Sequence, residues 1–181
     1  TMKNISFIFI LLFCSFLIGS AYAENITGAN IVNTDDDEPK IFAADGTSLT
    51  ITNSATLSKS SGTKAVGIDN QDNSTLTVHS GSTVSTLAAN GSDAVSATGQ
   101  SGLTINNSGT ISAGNSKAIG LLNAQNSIIT NNSGGIIKSN TNTITFTEKD
   151  DTANIVTINN SGEIYAEAVS SGETSNNAIK S

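Results

Sequence analysis

The chain has no tryptophan and no arginine, and one copy each of cysteine (Cys14), proline (Pro39) and histidine (His79). Each scarcity removes a class of explanation. Two Tyr and six Phe are the only aromatics in 181 residues, too few for a thick globular core built on large rings. A solenoid needs only a thin stack of Val, Ile, Leu and Ala, because each rung buries its inner face on its neighbours. Proline cannot donate to a strand ladder, and none follows Pro39, which suits continuous pairing. A single cysteine rules out an internal disulfide and, with one histidine, a Cys/His zinc cluster. Without arginine the usual bidentate partner of a uronate carboxylate is missing. All eight basic residues are lysine, against fifteen acids, for a net charge of −7. That balance disfavours electrostatic binding of nucleic acid or anionic lipid.

Asn, Ser, Thr and Gly are plentiful, and they recur in order. Ile51-Thr-Asn-Ser-Ala-Thr-Leu57, Val78-His-Ser-Gly-Ser-Thr-Val84, Ile105-Asn-Asn-Ser-Gly-Thr-Ile111 and Ile158-Asn-Asn-Ser-Gly-Glu-Ile164 align without gaps. Thr130-Asn-Asn-Ser-Gly-Gly-Ile136 is a fifth copy, and the second apolar positions step by 27, 27, 25 and 28 residues. A period in this range marks a solenoid, propeller or array. Strands with Asn/Ser/Gly corners predict an all-β parallel β-helix.

Period-two alternation within a repeat turns Leu103, Ile105 and Ile111 inward and Thr104, Thr110 and Ser112 outward, with Asn106-Asn-Ser-Gly109 as the turn. A third strand follows as Lys64-Ala-Val-Gly-Ile68, Asp93-Ala-Val-Ser-Ala97, Lys117-Ala-Ile-Gly-Leu121, Thr143-Ile-Thr-Phe146 and Asn177-Ala-Ile-Lys180. This predicts about five three-strand rungs. The gapless alignment places Ile105 over Val78 and Ile111 over Val84. It also puts Asn53, Ser80, Asn107, Asn132 and Asn160 in one corner column, a structural ladder of stacked polar side chains. Asn106, Asn131 and Asn159 form the neighbouring column, shared with Thr52 and His79.

The start of the chain reads as a secretory signal peptide over residues 1–23. Lys3 gives a positive start, residues 5–18 are nearly all apolar, and Ala21-Tyr-Ala23 is an Ala-x-Ala cleavage pattern. The run is short for a membrane span. Phe13 before Cys14 disfavours a lipoprotein. Cleavage after Ala23 would leave no cysteine and a charge of 7 Lys minus 15 acids, or −8. Residues 24–48 are then expected to cap the first rung, and residues 49–181 to form the repeats.

No pattern of residues predicts a catalytic, cofactor or metal site. His79 occupies the corner position where other copies carry Thr or Asn and reads as an exposed turn substitution, since a general base also needs an orienting partner and a nucleophile in reach. The acidic run Asp35-Asp-Asp-Glu38 lacks the glycine-centred spacing of a calcium loop and reads as solvated cap. Asp69 and Asp72, Glu148, Asp150 and Asp151, and Glu173 read as loop residues. What remains are outward rows of Thr, Ser and Asn, suited to glycans or protein surfaces, and the longer corners 139–154 and 167–177.

A leader followed by rungs of Ile-Asn-Asn-Ser-Gly-Thr-Ile resembles the N-terminal part of a passenger domain of type V autotransporters from Gram-negative bacteria. The resemblance covers the leader and about residues 49–164. It implies a right-handed β-helix exported through the inner membrane and displayed on, or released from, the outer membrane. It also implies a role in adhesion, in aggregation or biofilm, or in virulence, and the residues themselves, with no catalytic pattern, point to a non-enzymatic protein. The family's C-terminal β-barrel translocator has no counterpart in these residues, so a fragment or gene remnant, or a barrel on another chain, is the expectation. The segments Thr63-Lys-Ala-Val-Gly67 and Ser116-Lys-Ala-Ile-Gly120 resemble trimeric autotransporter adhesin heads, the alternative reading. A β-helical polysaccharide-active enzyme is the third.

Overall fold

The computed structural model describes residues 23–60, 62–87, 91–147, 155–167 and 177–180. The expected signal helix, Cys14, Glu148, Asp150, Asp151 and Glu173 lie outside the described residues.

Short strands of alternating apolar and polar residues follow one another around a coil. The first are β1 (Glu24–Ile26), β2 (Ala29–Val32) and β3 (Lys40–Phe42). They lead into β4 (Ser48–Ile51), β5 (Thr56–Lys59), β6 (Val66–Asp69), β7 (Thr75–Val78) and β8 (Thr83–Thr86). Next come β9 (Val95–Thr98), β10 (Thr104–Asn107), β11 (Thr110–Ala113), β12 (Ile119–Leu122), β13 (Ser127–Asn131) and β14 (Ile136–Ser139). The last are β15 (Ile144–Thr147), β16 (Val156–Asn160), β17 (Glu163–Ala166) and β18 (Ile179–Lys180).

These strands form three parallel sheets. The first holds β1, β3, β6, β9, β12, β15 and β18, the second β2, β4, β7, β10, β13 and β16, and the third β5, β8, β11, β14 and β17. The protein is an all-β parallel β-solenoid, whose five complete three-strand rungs span about four turns from first to last. The third strands expected from the Ala-Val and Ala-Ile segments are β6, β9, β12, β15 and β18. Residues 24–48 are already part of the coil: β1, β2 and β3 pair in register with the sheets that follow. In place of a strand in the third sheet, Asp36 makes a single bridge to Leu57.

The lumen is filled by aliphatic columns. Leu49, Leu76, Ile105 and Ile129 stack in the second sheet, and Leu57, Val84, Ile111 and Ile137 in the third, all at most 1% exposed. Each such side chain is worth about 1.5–3 kcal/mol when fully buried. The largest fully buried side chains are Leu and Ile alone. This narrow aliphatic lumen explains the scarcity of aromatics.

The gapless alignment of the repeats is corrected at two corners. Ile105 pairs with Leu76, and Val78 lies opposite Asn107, two residues further on. In the fourth copy Ile137, not Ile136, is the inward residue over Ile111. Counted on inward residues of the third sheet, the steps from Leu57 are 27, 27, 26 and 27 residues. The cause is corner length. Residues 52–54, 79–81 and 132–134 turn the chain in three copies, but Ser108 and Ser161 do so alone in the other two.

Candidate functional site

The residues that bear chemistry fall into four groups, beginning with the stacked asparagines. Continuing the alternation of Leu103 and Ile105 by one step puts Asn107 inside the lumen, where it is fully buried. Register carries Asn131 over it and Asn160 over Asn131. Asn107 Nδ2 donates to Asn131 Oδ1 at 2.8 Å, and Asn131 Nδ2 donates to Asn160 Oδ1 at 2.8 Å. Asn107 and Asn160 of the expected column are therefore joined, through Asn131 and not Asn132. Asn53 and Ser80 lie apart from them in exposed turns, because Ile51 and Val78 occupy their rungs' places in the ladder column. Asn132 is also exposed and donates from Nδ2 to Ser108 Oγ at 3.0 Å. The neighbouring column is corrected as well: Asn106 pairs with Thr77 and Thr130 on the outer face, away from Asn131.

Close approach dictates the glycines beside this ladder. A Cβ on Gly109 would lie 2.3 Å from the carbonyl oxygen of Ser82 and 2.4 Å from that of His79. Gly162 meets the same obstacle, with the carbonyl oxygen of Gly135 at 2.2 Å. The one-residue corner draws the chain down onto the turn of the preceding rung. The first two rungs have longer corners and carry Ala55 and Ser82 in that place.

The second group lines the corner between the first and second sheets. Asn70 (φ 55°), Gly99 (φ 69°) and Asn123 (φ 54°) stack in the left-handed conformation, as do Asn73, Gly102 and Asn126. Only Gly, and Asn with its short polar side chain, adopt that conformation routinely. Beside them Asp45 Oδ1 accepts the Asp72 amide at 2.8 Å, and Asp72 Oδ1 accepts the Ser101 amide at 2.7 Å. Asp69 pairs with Lys64 at 2.6 Å. Asp45 and Asp72 tie one rung to the next, whereas the Asp69–Lys64 pair lies within a single rung. The sequence reading missed this corner, although the alternation of Asn and Gly at matching steps was there to find.

The third group closes the N-terminal end. Lys40 points into the lumen above Val66 and is buried, paired with Glu24 and, at 2.7 Å, with Asp36. Burial works against the Lys40 charge, but hydrogen bonds and charge from Asp36 and Glu24 outweigh it, raising its pKa. Burial likewise opposes the Asp36 charge, and the bonds to Lys40 and the Glu38 amide outweigh it, lowering its pKa. The rest of the acidic run is also engaged. Asp35 Oδ1 accepts the Thr56 amide at 2.8 Å, and the Asp37 carbonyl accepts Lys59 Nζ at 3.2 Å. A shallow depression of about 150 Å³ opens beside this cluster, lined in part by Ile26, Val32 and Leu49.

Fourth are the outer faces. On the second sheet Ser48, Thr75, Thr104 and Thr157 form one outward row with Ile128, and Thr50, Thr77, Asn106, Thr130 and Asn159 form another. His79 stands exposed at the edge of this face with Nδ1 3.3 Å from Thr52 Oγ1. Among the described residues no group of three or more His, Cys, Asp or Glu is placed to hold a metal ion.

No family model, curated protein or solved structure matches the chain.

Proposed function

We propose that the chain is a non-enzymatic segment of a surface-displayed or secreted β-solenoid passenger, exported by the autotransporter route and acting in adhesion. The observation that carries this reading is the division of labour among polar residues. Lumen asparagines and corner carboxylates are consumed in holding rungs together, and the broad Ser/Thr/Asn face of the second sheet is left facing outward. Such a face suits many weak hydrogen bonds to glycans or to a protein surface. The leader pattern ending at Ala23 supports export. A turn of about 27 residues with three strands supports the type V passenger over the trimeric head.

Two measurements test the reading. Expressed with its leader in a Gram-negative host, the chain is expected to be cleaved after Ala23 and recovered outside the cytoplasm; uncleaved cytoplasmic protein would refute export. Sequencing beyond the Ser181 codon is expected to run through further Asn-Ser-Gly rungs into a strand-rich barrel, and a stop codon there would remove the autotransporter route. For adhesion, an immobilised-glycan screen should give binding that weakens when Thr75, Thr77 and Thr104 are replaced together by lysine. Binding indifferent to that change would rule out this face.

A further inference from the structure

The asparagine ladder has a direction. Asn107 Nδ2 faces three acceptors: its own turn at Gly109 O (3.3 Å), Asn131 Oδ1 (2.8 Å) and, on the next rung, Ile136 O (3.2 Å). Asn131 Nδ2 repeats the pattern with Gly135 O (3.2 Å), Asn160 Oδ1 (2.8 Å) and Glu163 O (3.1 Å). Donation always runs toward the C-terminal end. Asn160 Oδ1 accepts from Asn131 and from the Gly162 amide, while its Nδ2 meets no acceptor among the described residues.

The same end is incomplete in its packing. Ile105 and Ile129 are at most 1% exposed, yet Ile158 in their column is only partly buried. Asn160 is exposed where Asn107 and Asn131 are fully buried. All three sheets end in this same rung, with β16, β17 and β18 pairing onto β13, β14 and β15 on one side only.

The opposite end of the molecule does not fit this face. There the ladder column holds Val32, which offers no side-chain acceptor, and Lys40 with Asp36 and Glu24 lies across the lumen. A second copy stacked head to tail would set Val32 against Asn160 and this charged cluster against the apolar lumen.

We propose that the face formed by β16, β17 and β18 receives one further polypeptide rung of the repeat's own chemistry, parallel and in register. That rung presents a side-chain oxygen, as in Asn or Asp, opposite Asn160. It presents aliphatic residues opposite Ile158 and Ile164, and a main-chain carbonyl opposite Glu163. The inference stands on the ladder and the sheet edges and holds for any export route.

The test joins a second copy of residues 146–167 after Lys180 of the full chain, in the register set by Ile144 opposite Ile179. Hydrogen exchange of the Asn160 side-chain amide and of the β16 backbone is expected to slow about ten-fold, the worth of a hydrogen bond of ordinary strength. An appended copy carrying Asn160→Asp should keep the slowing, and one carrying Asn160→Leu should lose it at the side chain. Equal protection with Asp and Leu, or an extension that stays unfolded on an intact solenoid, would overturn the proposal. The unextended chain is expected to show no concentration dependence of Asn160 exchange. Protection that grows with concentration would assign the face to a second copy instead, and would equally overturn it.

Discussion

The corner between the second and third sheets is built two ways in one molecule. In the first two complete rungs Ile51 and Val78 fill the lumen, three residues make the turn, and Ala55 or Ser82 follows. In the third rung an asparagine replaces the apolar residue, one serine makes the turn, and Gly109 follows. The fifth rung repeats this with Asn160, Ser161 and Gly162, and the fourth joins an asparagine and a glycine to a three-residue turn. Where the lumen residue is apolar, the rungs hold by aliphatic stacking. Where it is an amide, its hydrogen bonds fix the turn, and at Gly109 and Gly162 the carbonyl oxygens of the preceding turn require the glycine.

The largest effect expected from breaking this contrast is at the glycine. Gly109→Ala must displace two carbonyl oxygens of the preceding turn and should cost about 3 kcal/mol, comparable to severe overpacking. Ser82→Ala in the same column keeps the Cβ already accommodated and removes a buried hydroxyl without a partner among the described residues, so it should change stability by less than about 0.5 kcal/mol. Urea unfolding of the two variants measures the difference.

Next in size is a comparison of buried amides. Asn131→Leu removes the two 2.8 Å amide–amide bonds, to Asn107 Nδ2 and to Asn160 Oδ1, and should cost about 2 kcal/mol. Gln100 is 1% exposed, and neither of its side-chain amide atoms has a partner among the described residues. Gln100→Met should therefore be neutral or stabilising. If both substitutions destabilise equally, the ladder contributes nothing beyond volume.

The ends of the molecule differ in their response to pH. Asp36 has its pKa below the ordinary 3.8, so its contribution is whole above that value and is lost as pH falls through the depressed pKa. Lys40 has its pKa above the ordinary 10.5, so its contribution is whole below that value and is lost as pH rises through the raised pKa. Protection of β1 and β3 amides should be level between the two ordinary values and fall outside them. The ladder asparagines do not titrate, and β10 and β13 should show no such fall.

The smallest contrast separates two residues that the alignment put in one column. Asn53 has φ 56°, so Asn53→Ala should cost about 1 kcal/mol for the left-handed backbone. Asn132→Ala removes one exposed hydrogen bond to Ser108 and should cost less than about 0.5 kcal/mol. Thermal melts of both variants at neutral pH are sufficient to rank them.

Much of the fold was legible before any coordinates. Period-two alternation at Leu103, Ile105 and Ile111, and the recurrence of Ala-Val and Ala-Ile segments, depend on local chain geometry, which the sequence records directly. The step near 27 residues and the paucity of aromatics fitted a thin stacked lumen. The candidate site was legible only in kind. Stacked asparagines were expected, and Asn107 and Asn160 are joined, but the residue between them is Asn131. A gapless alignment treats every corner as equally long, and a strand slipped by two residues keeps the same face inward, so alternation alone could not detect the slip.

The sequence by itself determined the period, the inward faces and the polar chemistry available at the corners, because each is a property of neighbouring residues in one strand or turn. Only the tertiary structure decided which asparagines meet, that Lys40 closes one end, and that the Asn160 Nδ2 donor meets no acceptor among the described residues at the other. Those outcomes depend on the registry between rungs. Registry is set by corner length and by close contacts such as Gly109 against the carbonyls of Ser82 and His79, between residues some 27 positions apart in the chain.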